Sequence, residues 1–101
     1  MELPDVVAKL VEIHRHDQHE SGQDDADRVT PSCCPLTDLK GFDSLLIPPI
    51  IRRLARELGY PLPKGTRVKN IYCAPDGRKK LTIREIAIRF VETYVPEVSK
   101  V

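Results

Sequence analysis

The chain has 101 residues, with sixteen Lys and Arg against fifteen Asp and Glu. This length suits one compact domain, and two Phe, three Tyr and no Trp leave few rings to line a deep pocket or to stack on bases. No stretch reaches the roughly 20 apolar residues of a membrane span, and the acidic N-terminus is unlike a signal peptide. We expect one soluble domain over residues 1–101, cytoplasmic, monomeric and without a membrane partner.

Charge is distributed unevenly along the chain. Residues 1–43 contain ten acids and four Lys or Arg, whereas residues 44–101 contain five acids and twelve Lys or Arg. Two interpretations are open: the halves attract each other and steady the fold, or the basic half meets an anionic partner.

The first predicted helix covers residues 3–19. Pro4 suits the first turn of a helix, where its missing N–H costs nothing. Apolar residues recur at helical spacing and predict an amphipathic helix facing a core. They are Val6, Val7, Leu10, Val11 and Ile13.

Residues 20–43 have the composition of a long loop, in which Leu36–Leu39 could form a short helical turn. Its aspartates lack the glycine and distal glutamate of a calcium loop, so we expect a solvated segment. These aspartates are Asp24, Asp25 and Asp27.

A second helix is predicted over residues 44–58, with Asp43 or Ser44 as its N-cap. Gly59 is the expected C-terminal stop. Within the first turns, Pro49 would remove one backbone hydrogen bond. We therefore expect a distorted first turn, or a helix that begins near Pro48.

Residues 60–80 form a predicted connector, where a loop is favoured over a short hairpin of residues 69–73 with 79–83. The last helix is predicted over residues 82–95, because Thr82 and Glu85 have the spacing of a capping box. Pro96 is expected to end it. The fold class is therefore all-α, a three- to four-helix bundle with long connecting loops.

Histidine and cysteine give little indication of a catalytic or metal site. On a helix only two of the three histidines share a face, and no third ligand is fixed. An odd number of cysteines with an adjacent pair is a poor disulfide framework and indicates a reducing compartment, and no sequence signature supplies a base for a nucleophilic thiol. The residues are His14, His16, His19, Cys33, Cys34 and Cys73.

Ser44 is the most informative position. A serine at a helix start is exposed, and the free N–H groups and positive dipole end there favour a phosphate. Spacing alone leaves two interpretations open: a plain N-cap, or a serine that bears a phosphodiester.

Three segments carry a resemblance to acyl carrier proteins. LTDLKGFDSL (36–45) resembles the family's attachment motif, in which Asp-Ser-Leu opens the second helix. LARELGYPLP (54–63) resembles the end of that helix, and LTIREIA (81–87) the start of the last one. With the helix before the long loop, the resemblance spans most of the chain.

The resemblance implies a carrier and not an enzyme. A phosphopantetheinyl transferase would attach 4′-phosphopantetheine to Ser44, with Asp43 and Leu45 completing the attachment site. The arm would hold acyl groups as thioesters for acyl-loading and acyl-processing enzymes of lipid, polyketide or related biosynthesis. The partner-facing residues would be Ile47, Arg52, Arg53 and Arg56.

The charge of the second helix departs from the family's pattern. Carriers of this kind usually present acids to basic partners, whereas this helix offers three arginines against Glu57 alone. Electrostatic complementarity would then select different partners.

Two alternatives stay open. One is an unmodified carrier-like adaptor, for which Ser44→Ala would leave partner binding intact. The other is a small basic nucleic-acid-binding domain, although no short turn joins two helices as a helix-turn-helix requires. Its phosphate contacts would come from Lys64, Arg67, Lys69, Arg78, Lys79, Lys80 and Arg84.

Overall fold

The computed structural model describes residues 2–59, 61–63, 65 and 67–99, with side chains described up to residue 94. This part of the chain is mostly helical and contains no β-strand. Its radius of gyration of 13.0 Å is that of a compact domain of this length. The all-α prediction is confirmed. The helices are α1 (Leu3–Glu20), α2 (Pro35–Asp38), α3 (Ile47–Glu57) and α4 (Ile83–Ser99).

Helix α1 lies at the centre of the packing. It contacts both α3 and α4, and its buried stripe repeats at three- and four-residue intervals, as a helix with one core face requires. Val6, Leu10 and Ile13 are fully buried in that stripe. The predicted helix over residues 3–19 is confirmed and extends one residue further.

The long segment after α1 is more ordered than its composition predicts. It contains a 3₁₀ turn at Ala26–Arg28 as well as α2, which confirms the short helical turn expected near Leu36. The prediction of a solvated loop is wrong for Asp25, which is only 2 % exposed. Its carboxylate accepts hydrogen bonds from the Gln18 side chain and the Lys40 backbone N–H, so its burial is compensated.

The second predicted helix begins later than residue 44. A 3₁₀ turn at Ser44–Leu46 leads directly into α3, whose second and third residues are Pro48 and Pro49. Proline is tolerated there because the N–H groups of a first turn have no intrahelical partner. Of the two alternatives expected here, the helix that begins near Pro48 is confirmed. At the other end Gly59 has φ +88°, the left-handed conformation of a helix stop.

The connector closes into a tight turn before α4. The Ala74 N–H donates to Lys79 O (2.7 Å) and the Leu81 N–H to Tyr72 O (2.9 Å), on either side of an isolated antiparallel bridge between Cys73 and Lys80. The sequence favoured a plain loop over a short hairpin here. The structure has a loop with one antiparallel bridge in place of a full hairpin.

Helix α4 begins at the predicted capping box. The Glu85 N–H donates to Thr82 Oγ1 (3.2 Å), and Glu85 Oε1 accepts from the Thr82 N–H (3.0 Å). The expected stop at Pro96 is wrong, because the helical backbone continues to Ser99. Proline removes only the bond that its own N–H would donate, and that loss falls in the last turns.

The core is mainly aliphatic and includes a small number of aromatic rings. Buried side chains come from α1, α3, α4 and both connecting segments. None of the described helices combines the length and apolar character needed to cross a bilayer.

Candidate functional site

Ser44 is exposed at the first position of the 3₁₀ turn that leads into α3. Asp43 is the cap of this turn, since its Oδ1 accepts from the Leu45 N–H at 2.8 Å and its carbonyl accepts from the Leu46 N–H. Among the described residues nothing hydrogen-bonds the Ser44 hydroxyl. Of the two interpretations of Ser44, the plain N-cap role therefore belongs to Asp43 instead.

The residues after Ser44 divide between surface and core. Leu45 is 81 % exposed and Leu46 is 44 % exposed, which is unusual for leucine. Ile47 is only 2 % exposed, so its prediction as a partner-facing residue is wrong. The late start of α3 makes Ile47 the first residue of the helix, and its side chain packs in the core.

The three arginines of α3 do not act alike. Arg53 donates to Asp17 of α1 at 3.0 Å and to Glu57 at 2.8 Å, so it links two helices. It joins the acidic half to the basic half, as the first interpretation of the charge distribution requires. Arg52 and Arg56 are exposed on the outer side of α3. A basic surface therefore follows the exposed leucines along this helix.

The segment before Ser44 is anchored at both ends. Lys40 is held through its N–H to Asp25 Oδ2 (2.8 Å) and its carbonyl to Gln18 Nε2 (2.9 Å). Gly41 has φ +74°, a conformation that favours glycine. Phe42 is then buried. These contacts fix the chain on either side of Gly41 and leave residues 43–46 at the surface.

Phe42 belongs to a buried aromatic cluster with His14 and Tyr72. The His14 ring lies edge-on to Phe42, with centroids 5.1 Å apart, and Phe42 stacks on Tyr72 at 5.5 Å. His14 Nε2 and the Tyr72 hydroxyl oxygen are 2.7 Å apart. Sequence reasoning missed this cluster. A histidine at a core position of α1 was the available signal, since His14 follows Ile13 beside the buried stripe.

Burial keeps this histidine neutral. Loss of hydration lowers the pKa of His14 to about 4, and its side chain is 1 % exposed. It cannot reach solvent to serve as a general base. Among the described residues the surface around Ser44 therefore holds no histidine–serine pair of the kind that activates a nucleophile.

The remaining candidates are not brought together as a site. No group of three His, Cys, Asp or Glu placed to hold a metal ion occurs in the described part of the chain. All three cysteines are free thiols. Burial is the main cause that raises the pKa of Cys33 and of Cys34, which lowers the thiolate fraction.

The described basic residues proposed for nucleic acid lie on exposed loops and at the start of α4. Lys79 is paired with Glu85 at 3.5 Å, and Lys64 lies outside the described residues. No described pair of helices is joined by the three- to four-residue turn of a helix-turn-helix.

The arrangement around Ser44 therefore presents an exposed hydroxyl and two exposed leucines at one surface. Comparison of the chain with family models, with curated proteins and with solved structures gives no match.

Proposed function

We propose that this chain is an acyl carrier protein of specialised type, modified at Ser44 with 4′-phosphopantetheine. One observation carries the proposal: Ser44 presents an exposed hydroxyl without a described hydrogen bond, at a capped turn leading into a helix. The mostly helical fold with one long first loop is compatible with a bundle of this family. The resemblance of the segments around Ser44 supplies the identity of the modification.

The residues present fit a covalent attachment. The Ser44 hydroxyl is accessible to a transferase, and the Asp43 cap holds the turn while its carboxylate stays at the surface. The bound group would supply a thiol that carries acyl groups as thioesters. This chain would provide the attachment site and the surface that partners recognise. The partner enzymes would catalyse every chemical step.

The phosphate of such a group would be hydrated by solvent and would receive few hydrogen bonds from backbone N–H groups. At an ordinary helix start, free N–H groups bind an anion, but Pro48 and Pro49 have none. The Leu45 and Leu46 N–H groups already donate to Asp43. We therefore expect the covalent bond, and not the backbone, to hold the group in place.

A second candidate is an unmodified adaptor that binds a partner through Leu45 and Leu46. Their exposure favours it, since large apolar side chains at a surface mark interaction sites when they are contiguous. Both candidates use the same surface, and they differ in whether the hydroxyl of Ser44 matters.

Intact mass distinguishes the two candidates. The protein is incubated with coenzyme A, magnesium and a broad-specificity phosphopantetheinyl transferase, and Ser44→Ala is treated in parallel. Ser32→Ala is the matched control, because Ser32 is also exposed but lies in the loop before α2. We expect the parent and Ser32→Ala to gain one phosphopantetheine and Ser44→Ala to gain none.

No gain from the folded parent with several transferases would count against the carrier. Partner capture by Ser44→Ala, together with loss of capture in Leu45→Ala, would then support the adaptor. Gain of mass in Ser44→Ala would show that another residue is modified.

A further inference from the structure

The apolar face of helix α1 is wider than its fully buried stripe, and its outer edge forms a stripe of its own at the surface. Leu3, Val7 and Val11 are spaced four residues apart and so share one side of the helix. They form the outer edge of the same apolar face as the fully buried Val6 and Leu10, and Val7 and Val11 are half-buried against the core. Leu3 is 36 % exposed. This outer edge of the apolar face is therefore partly uncovered at the surface.

The stripe forms one wall of a surface groove of about 720 Å³. Pro4 and Ala8 continue the apolar wall, and Pro31 and Arg84 line the groove from outside α1. This volume lies within the range of about 300–1,000 Å³ typical of small-molecule sites. From Leu3 to Val11 the apolar wall spans eight residues, about 12 Å of helix.

Two arginines from different helices contact one short segment of backbone beside this groove. Arg15 Nε of the side chain donates to the carbonyl of Val29 at 3.1 Å, and the backbone N–H of Arg84 donates to the carbonyl of Pro31 at 3.0 Å. The anchoring carbonyls are two residues apart, although the arginines belong to α1 and α4. Both arginines line the same groove as Ala8.

The groove is also lined by one carboxylate, that of Glu12. Its Oε2 accepts from Lys9 Nζ at 3.1 Å, so its charge is already compensated. No described carboxylate pairs with Arg15 or Arg84. The groove therefore combines an aliphatic wall with a surplus of positive charge.

We propose that this groove binds a linear aliphatic carboxylate, with its chain along Leu3–Val11 and its carboxylate at Arg15 and Arg84. Arginine is suited to this because its planar guanidinium can donate two parallel hydrogen bonds to a carboxylate. The groove is sized for a small molecule, and its lining combines aliphatic side chains with two arginines, as an amphiphile requires. The binding is independent of the function proposed for Ser44.

The test uses Ser44→Ala protein, which has no attachment serine, so that a failure of the carrier proposal does not affect the result. Decanoate is titrated below its micelle concentration, and binding is followed by calorimetry and by ¹⁵N–¹H spectra. We expect saturable one-to-one binding that shifts the amide signals of residues 3–15 and of Arg84. Arg84→Gln should weaken it about tenfold, the effect of losing roughly 1.4 kcal/mol.

Two controls make the test specific. Arg78→Gln removes the same charge from an exposed position outside the groove and should leave the affinity unchanged. Ala8→Phe fills the groove from an exposed position and should abolish binding, with an unchanged circular dichroism spectrum showing that the fold is intact.

Absence of saturable binding would overturn the proposal, as would equal affinity for decanol and decanoate, since the arginines would then play no part. Equal weakening by Arg78→Gln and Arg84→Gln would show general charge attraction and overturn it as well. An acidic amphipathic peptide that shifts these amides while decanoate does not would assign the groove to a protein partner instead.

Discussion

His14 and Tyr72 are 58 positions apart in the chain, yet His14 Nε2 lies 2.7 Å from the Tyr72 hydroxyl oxygen inside the core. The contact joins α1 to the connector before α4. Burial lowers the pKa of His14 to about 4, and burial, aided by the charge of Asp17, raises the pKa of Tyr72 well above its usual range. Both groups are therefore held neutral, and their hydrogen bond satisfies two polar atoms that water cannot reach.

We predict that this pair makes the fold sensitive to mild acid. The pKa of His14 is about 4 in the folded protein against an ordinary value of 6.5, so the unfolded chain binds a proton that the native state rejects. The stabilisation is complete above pH 6.5 and is lost as the pH falls from 6.5 towards 4. The full loss amounts to about 3 kcal/mol. Urea unfolding over this pH range measures it.

His14→Gln should be less stable than the parent at neutral pH and should lose less of its remaining stability over the same acid range. His16→Gln, at an exposed position of α1, is the control and should keep the parent's pH dependence. The carboxylates are the same in all three proteins, so their contribution cancels in the comparison. Equal pH dependence of the parent and His14→Gln would contradict the assignment.

Asp25 provides a second prediction, because its buried carboxylate holds the segment before Ser44. Asp25→Ala removes the acceptor of the Gln18 side chain and of the Lys40 N–H. Donors left without an acceptor destabilise the folded state, so we expect Asp25→Ala to unfold at a lower urea concentration than the parent. Equilibrium unfolding in urea measures the difference.

Asp24→Ala is the matched control for Asp25. Asp24 pairs with the Lys40 ammonium group at 3.2 Å, but its side chain is 85 % exposed. Exposed ion pairs contribute about 0–1 kcal/mol, so we expect little change. Similar losses in the two variants would show that the buried hydrogen bonds are not what stabilises this loop.

The elements that could be predicted from sequence are those whose signals are local. The apolar period of α1, the Gly59 stop and the Thr82–Glu85 capping box depend on residues within a few positions of each other, and each is present in the structure. The helix after Ser44 was predictable for the same reason, although it begins at Ile47 and leaves Ser44 in the 3₁₀ turn before it.

The features that were missed depend on contacts between distant segments. Asp25 in an acidic run looks solvated, and only the approach of Lys40 and Gln18 makes it a buried acceptor. Tyr72, the hydrogen-bond partner of His14, lies 58 residues further along the chain. Ile47 is different, because its signal was local: with Ile50, Ile51 and Leu54 it completes an i, i+3, i+4, i+7 apolar face.

Ile47 and Leu45 therefore give a matched pair of truncations two residues apart. Ile47→Ala removes a side chain that is 2 % exposed and should cost about 2–5 kcal/mol. Leu45→Ala removes one that is 81 % exposed, and surface substitutions usually change stability by less than about 0.5 kcal/mol. Chemical unfolding compares the two. A large loss in Leu45→Ala would mean that this leucine is part of the core.

The capping box at the start of α4 offers the last prediction. Thr82→Ala removes the hydroxyl that accepts from the Glu85 N–H and should cost about 1 kcal/mol. Thr82→Ser keeps that acceptor and should restore most of the loss. Position 82 is half-buried, so loss of the threonine methyl group could itself lower stability. Thr82→Ser lacks that methyl group but keeps the hydroxyl, and it therefore separates the two effects. The Ile83 and Arg84 N–H groups donate to the carbonyls of Cys33 and Pro31. Thr82→Ala should therefore also raise the amide hydrogen-exchange rates of the loop before α2. An increase confined to α4 would show that the two segments open independently.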